Sequence, residues 1–306
     1  MGSTQKTAEA ALFAVTGMAL LGFIDNFVKL IAADIGLWQF HFARSLMVLG
    51  ALVPLALFLG WRVRPVRPGA VAFRSFFVAT AMIFYFAAVA VLPIAQVGAG
   101  LFTAPIFVLI ISALFYGMPV GRWRVFAVGL GFAGVLLLLR PATGSLEAMS
   151  FVPVVAGLFY GYGAVCTRIY CEEESTATLV MGFFAVLGLW GGAGLLYFWT
   201  TGLATDPSVD GFFGSGWQPW SQNPLFWTVA QGVVSLLGLG CITRAYQIAD
   251  ASRVAVFEYA FLISAGFWAY ILWGEAPDAL GFLGIGLIVT AGVVIILRSR
   301  AEAVPV

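Results

Sequence analysis

The stretch LLGFIDNFVKLIAADIGLWQFHFARSLMVLGALVPLALFLG, Leu20–Gly60, contains two apolar runs parted by AADIG, each suited to crossing a bilayer as a helix. Asp25, Lys29, His41 and Arg44 lie inside those runs. A charge at the centre of a membrane helix costs roughly 2.5–3.5 kcal/mol on insertion scales, so these groups need partners, water or a task. The rest of the chain has the same character. Of its 306 residues, 62% are hydrophobic and 9% charged, too few charges to cover a surface in water. The composition therefore predicts an all-α integral membrane protein. Lys+Arg 15 against Asp+Glu 14 provides no basic field for nucleic acid.

Working outward, apolar runs bounded by Pro, Gly and charge clusters predict ten transmembrane helices. They cover Glu9–Ala33, Leu37–Leu59, Ala70–Leu92, Ile94–Tyr116 and Arg122–Leu139, then Ser150–Arg168, Ser175–Trp199, Pro224–Ile248, Ser252–Trp273 and Ala279–Leu297. The run after MGSTQKTAEA is too long for a signal peptide and reads as a retained first span. With both termini cytoplasmic, Lys6, Arg62, Arg64, Arg67, Arg74, Arg122, Arg124, Arg168, Arg244, Arg253, Arg298 and Arg300 fall on the inner side, as positive residues prefer. The loop TGLATDPSVDGFFGSGWQPWSQN, which has no Lys or Arg, then lies outside. The expected location is the cell (inner) membrane.

The two halves of the chain resemble each other. AVAVLPIAQVGAG from Ala88 aligns with AYQIADASRVAVF from Ala245, and the same offset brings Tyr116-Gly117 onto Trp273-Gly274. GFAGVLLLLR, ending at Arg140, matches VTAGVVIILR, ending at Arg298. A second offset lays LGFIDNFVKLI on YGYGAVCTRIY, with Lys29 against Arg168. Five spans per copy is an odd number, so the second copy is expected to be inverted. The basic loop GMPVGRWR and its acidic counterpart GEAPDALG have the charges that opposite sides would select. Two repeats are predicted, residues 1–141 and 142–306, and inverted repeats of this kind characterise secondary transporters with a midplane solute site.

HFARSLMVLGAL, FTAPIFVLIISALFYG, FEYAFLISAGFWAYILWGE and GFLGIGLIVTAGVVIILR, in this order and duplicated, resemble the drug/metabolite transporter superfamily, specifically its ten-span members with two EamA-type domains. One departure is Met118, where the family often has a glutamate after the glycine closing span 4; Glu275 keeps that glutamate in the second copy. The resemblance implies small organic metabolites moved across a cell membrane, among them amino acids, vitamins, nucleotide-like molecules and quaternary amines. It also implies that the arginine of span 2, Arg44, recurs in the family's pattern.

Candidate solute-binding residues follow from the cost of polar groups in lipid. Asp25 and Lys29 stand four apart on one helix face, a favourable acid-to-base order. Lys29 either meets the solute or snorkels to the interface, whereas the shorter Asp25 needs a wet cavity. His41 and Arg44 share a face of span 2. Arg44 either answers Asp25 or, with Lys29, holds a carboxylate or phosphate. His41, the chain's one histidine, is either a proton-coupling switch or a plain hydrogen-bonding group. Glu258 lies inside span 9 and needs a cationic partner, a bound amine or a proton. Tyr85, Tyr160, Tyr162 and Tyr259 fall near span middles, where a phenol seeks a polar wall; Trp38 sits at a span end and is included for its place beside this cluster.

No enzyme is expected. There is one histidine, no HExxH, no GxSxG and no phosphate-cradling loop, and Cys166, Cys171 and Cys241 form no CxxC. No cofactor or metal is anticipated; the partners are a small solute and the lipid bilayer, with a monomer or homodimer both open. The mixture of Asp25, Lys29, Arg44 and Glu258 points to an amino-acid-like or zwitterionic solute, with a vitamin such as a flavin as the alternative.

Overall fold

A computed structural model describes residues 3–91, 94–139, 151–206, 211–274 and 278–298. The repeat boundary at 141/142, Arg140, the Leu92–Pro93 turn, Glu275 and Arg300 lie outside the described residues. Among those described, the structure is helical, with one isolated bridge between Thr205 and Ser215.

The helices are α1 (Ser3–Ile24), α2 (Val28–Ala32), α3 (Leu37–Phe58), α4 (Pro68–Val91), α5 (Ile94–Leu101), α6 (Ala104–Leu114) and α7 (Arg122–Leu139), then α8 (Val152–Tyr170), α9 (Thr176–Thr201), α10 (Gln222–Ile248), α11 (Ala251–Val254), α12 (Ala260–Trp273) and α13 (Ala279–Arg298). Seven helical segments among the described residues are long and apolar enough to cross a membrane, with shorter apolar helices at Ala104–Leu114 and Ala279–Ile295. Side chains such as Leu12, Leu46, Phe58, Leu114 and Trp199 point outward from the bundle, as lipid-facing residues do. The chain is a multi-pass membrane protein.

Three segments are interrupted, and each interruption has a local cause. Between α1 and α2 a 3-10 turn covers Asp25–Phe27, and Asn26 donates its side-chain amide to Gly22 O at 2.7 Å. That bond competes with the helical ladder and loosens it where Asp25 must turn inward. Between α5 and α6, Thr103 Oγ1 bonds back to Gly100 O at 2.6 Å, and Pro105 then occupies the first turn of α6. Pro105 thus sits where a new helix starts and its missing N–H costs nothing. The third interruption is a 3-10 segment, Ala255–Tyr259, between α11 and α12, and it presents Glu258.

Helix packing has a regular plan. α1 packs on α10 and α12; α8 packs on α4 and α6. α3 pairs with α9, and α7 with α13. Glycines permit the closest approaches. A Cβ on Gly22 would lie 2.7 Å from Phe261 O and 2.9 Å from Ala265 N; one on Gly161 would lie 3.1 Å from Ala104 O and 3.4 Å from Val108 N.

The two ends of the bundle are stitched differently. At one end the 211–221 loop is pinned to α3, since Gln39 and Gln218 exchange two hydrogen bonds of 2.8 and 2.7 Å. At the other end Arg124 meets Asp250 at 3.4 Å and Ser252 at 2.9 Å, and Arg253 reaches Thr7. Arg74, near the start of α4, is 3% exposed and donates to Thr167 Oγ1, Leu179 O and Thr243 Oγ1, which draws its guanidinium into the bundle.

Candidate functional site

A cavity, with an empty volume of about 850 Å³ counted out to its open mouth, lies among α1 and the turn after it, α3, α4, α5, α6, α8, α9, α10, the 3-10 segment before α12, and α12. α7 and α13 contribute nothing to its lining among the described residues. Most of the wall is apolar or aromatic, including Met18, Leu21, Phe86, Phe102, Phe183 and Phe261. Its polar groups gather at two poles.

The first pole joins three helices. Arg44 of α3 donates from Nη1 to Gln231 Oε1 at 3.1 Å, and Gln231 of α10 donates from Nε2 to Asp25 Oδ1 at 2.8 Å. A neutral amide therefore separates a buried cation from an anion while hydrogen-bonding to both. Its orientation follows from the pair, because only the oxygen can accept from a guanidinium. Arg44 is also 3.1 Å from His41 Nδ1, and its guanidinium lies 4.6 Å from the Phe40 ring centroid. That ring face and the further Phe86 face partly compensate the desolvated charge. Arg44 Nε has no hydrogen-bond partner among the described residues. Tyr85 lines the same cavity.

The second pole is Glu258. It is buried, and Tyr160 of α8 donates its hydroxyl to Oε1 at 2.6 Å. Tyr246 directs its hydroxyl toward the same carboxylate without reaching hydrogen-bond geometry. No Lys or Arg pairs with Glu258 among the described residues. The cation sought for it is therefore not supplied by Arg44, Arg168 or Arg244.

Asp25, Arg44, Tyr85, Tyr160 and Glu258 are thus brought to one cavity, while the other five candidates are not on its wall. Lys29 lies exposed beyond the break after α1, and Asp25 takes its hydrogen bond from Gln231 rather than from this lysine. Trp38 turns toward α9, where Gly194 makes room for its indole, and donates to Phe213 O at 2.8 Å. His41 is fully buried behind Arg44, against Phe40 and Phe86, with Nε2 unpartnered. Tyr162 lies against Phe77 and meets Tyr116 at 3.5 Å between hydroxyls. Tyr259 is fully buried against Phe102 and Gly131. Each sits on a helix whose rotation sends that side chain elsewhere.

Gln231 and Ser235 are the polar lining residues that sequence reasoning missed. A signal existed: they stand four apart in TVAQGVVSLLG, one polar stripe on an otherwise apolar helix. Among the described residues no cluster of His, Cys, Asp and Glu could hold a metal.

Residues 8–140 match the EamA-like transporter family. A pseudopaline exporter of Pseudomonas aeruginosa is 29% identical over 214 residues, covering 69% of this chain and 68% of that protein. A riboflavin transporter of Rhizobium johnstonii is 26% identical over 220 residues, covering 72% of this chain and 67% of that protein. A solved crystal structure matches the fold with a TM-score of 0.75, over 97% of this chain and 99% of its own, at 18% identity.

Proposed function

The chain belongs to the drug/metabolite transporter superfamily, and we propose that it is a secondary transporter that moves a small polar organic metabolite, amino-acid-like or zwitterionic, by alternating access. The observation that carries this reading is the cavity itself. Helical segments from both halves of the chain wall it, and it holds Arg44, Asp25 and Glu258 away from lipid. Ionisable groups at that depth are costly, and a polar solute is a reason to keep them.

Ten spans arranged as two inverted repeats, residues 1–141 and 142–306, belong to the same reading, with α1–α2, α5–α6 and α11–α12 each counted as one interrupted span. The helix contacts support it. Exchanging each span for its counterpart turns α1 on α10 into α8 on α4, and α1 on α12 into α8 on α6; α3–α9 and α7–α13 map onto themselves. The support extends to single residues. The offset that aligns Ala88 with Ala245 also aligns Ala104 with Phe261 and Val108 with Ala265. The other offset aligns Gly22 with Gly161, and these glycines approach those same equivalent atoms. The interruption before α6 and the one before α12 also fall at equivalent positions. Such duplicated, interrupted helices about a midplane cavity suit rocking of one half against the other. The cell membrane, with both termini cytoplasmic, completes the proposal on the distribution of arginines.

Purified protein in liposomes should move a member of an amino-acid and zwitterion panel saturably, with Arg44→Ala and Glu258→Gln each reducing flux about tenfold or more. Vesicles that retain every panel member under gradients of either direction overturn the reading. The aromatic wall and the likeness to a riboflavin transporter favour one second reading, a flavin solute. Flux of riboflavin in place of the amino acids would select it.

A further inference from the structure

Gln231 is fully buried yet borders the cavity. Its oxygen faces Arg44 and its amide nitrogen faces Asp25, so the amide dipole lies along the line from cation to anion. An α-amino carboxylate has the same polarity with whole charges in place of partial ones. The amide also fills the seat incompletely. A guanidinium can bind a carboxylate through two parallel N–H···O bonds, whereas the single amide oxygen engages Nη1 alone while Nη2 faces His41 Nδ1 at 3.1 Å. Asp25 is only partly buried, so its carboxylate is open to the cavity. Two opposite charges are thus bridged by a side chain that a zwitterion would replace with stronger bonds at both ends.

The rest of the cavity says what should follow such a head group. Its wall follows one face of α10 through Gln231, Ser235, Leu239 and Ile242 and is apolar beyond Ser235. Leu21, Leu239 and Phe261 line the course between the poles. Glu258, with Tyr160 beside it, lies on the same wall and has no Lys or Arg partner among the described residues. One arginine and two carboxylates best match a solute with one carboxylate and two amines.

Resting on the transporter reading above, we propose that Gln231 is an internal stand-in for the solute's head group. Its carboxamide occupies the seat of an α-amino carboxylate between Arg44 and Asp25. A solute with a basic side arm displaces it and lays that arm along the apolar wall to Glu258. The substrate class is then the basic amino acids and their derivatives, and Gln231 is a positioning residue that holds the two charges apart while the site is empty.

The test is thermal stabilisation of the detergent-purified full chain by three probes of nearly one shape: arginine, agmatine, which lacks the carboxylate, and citrulline, which lacks the side-arm charge. Arginine should raise the melting midpoint of the wild type. Agmatine and citrulline should each need about tenfold more ligand, or greater, for an equal rise. Glu258→Gln should erase the preference for arginine over citrulline. Gln231→Ala should melt lower than wild type when empty and show a larger arginine-induced rise, since the internal competitor is gone; a purely structural glutamine would lower both midpoints alike. Gln231→Asn, whose shorter amide cannot span the pair, serves if the alanine variant does not accumulate. Agmatine equal to arginine, or an unchanged rise in the Gln231 variants, overturns the proposal. Transport in liposomes of a neutral or acidic solute with no response to arginine overturns it too, while leaving the transporter reading intact.

Discussion

Arg44 and Arg74 are both buried in this bundle, and they are held in different ways. Arg74 donates to oxygens on three helices, Thr167 of α8, Leu179 of α9 and Thr243 of α10, and does not line the cavity that Arg44 lines. Arg44 touches a neutral amide, a histidine and aromatic faces, and it lines the cavity. A cation surrounded by fixed acceptors ties helices together. A cation held mainly by one neutral amide beside a cavity is placed to meet a solute, on the reading proposed above. The contrast sets a structural charge beside a proposed working charge in a protein where both are buried.

The comparison can be broken by experiment, and the largest effect is expected at Arg74. Arg74→Ala should cost about 3 kcal/mol or more, since hydrogen bonds to a charged group contribute about 1.5–3 kcal/mol each. Melting followed by intrinsic fluorescence should show the fall, and protein that survives should still respond to solute. Arg44→Lys is expected to fold with a smaller loss yet lose solute response, because an ammonium cannot reproduce the planar fork; a lysine variant that transports normally would make Arg44 a second Arg74. Tyr160→Phe should cost about 1 kcal/mol and weaken the distinction among side-arm charges at Glu258, read by the same thermal titration. Thr167→Val, which removes one acceptor of Arg74, should lower the melting midpoint slightly and leave flux untouched. If flux falls instead, the Arg74 region takes part in transport.

The membrane character and the principal charges of the site are legible in the sequence because lipid penalises them. Asp25, Arg44 and Glu258 each interrupt an apolar run, and each borders the cavity. Gln231 escaped notice because a neutral amide scarcely dents an apolar helix, although its placement between two charges makes it central. Trp38 and His41 share α3 with Arg44 and differ from it only in direction: the indole goes to Phe213 O and the imidazole is sealed against Phe86. For Arg74 the sequence offers only a side of the membrane, and packing against α8, α9 and α10 draws its guanidinium into the bundle.

The sequence by itself determined that the chain is a bundle of membrane helices, where along each helix the charges fall, and that its two halves resemble each other. Each of these depends on one-dimensional quantities: hydropathy, spacing and internal similarity. Which way each helix turns was decided only by the tertiary structure. In water a helix's polar face marks its outside, but in a bilayer lipid and neighbouring helices are both apolar, so the pattern that would orient it is weak. Close contacts set the rotation instead, such as Gly22 against Phe261 and Gly161 against Ala104. Those contacts turned Arg44, Gln231, Asp25 and Glu258 toward one space and Lys29, Trp38, His41, Tyr162 and Tyr259 away from it.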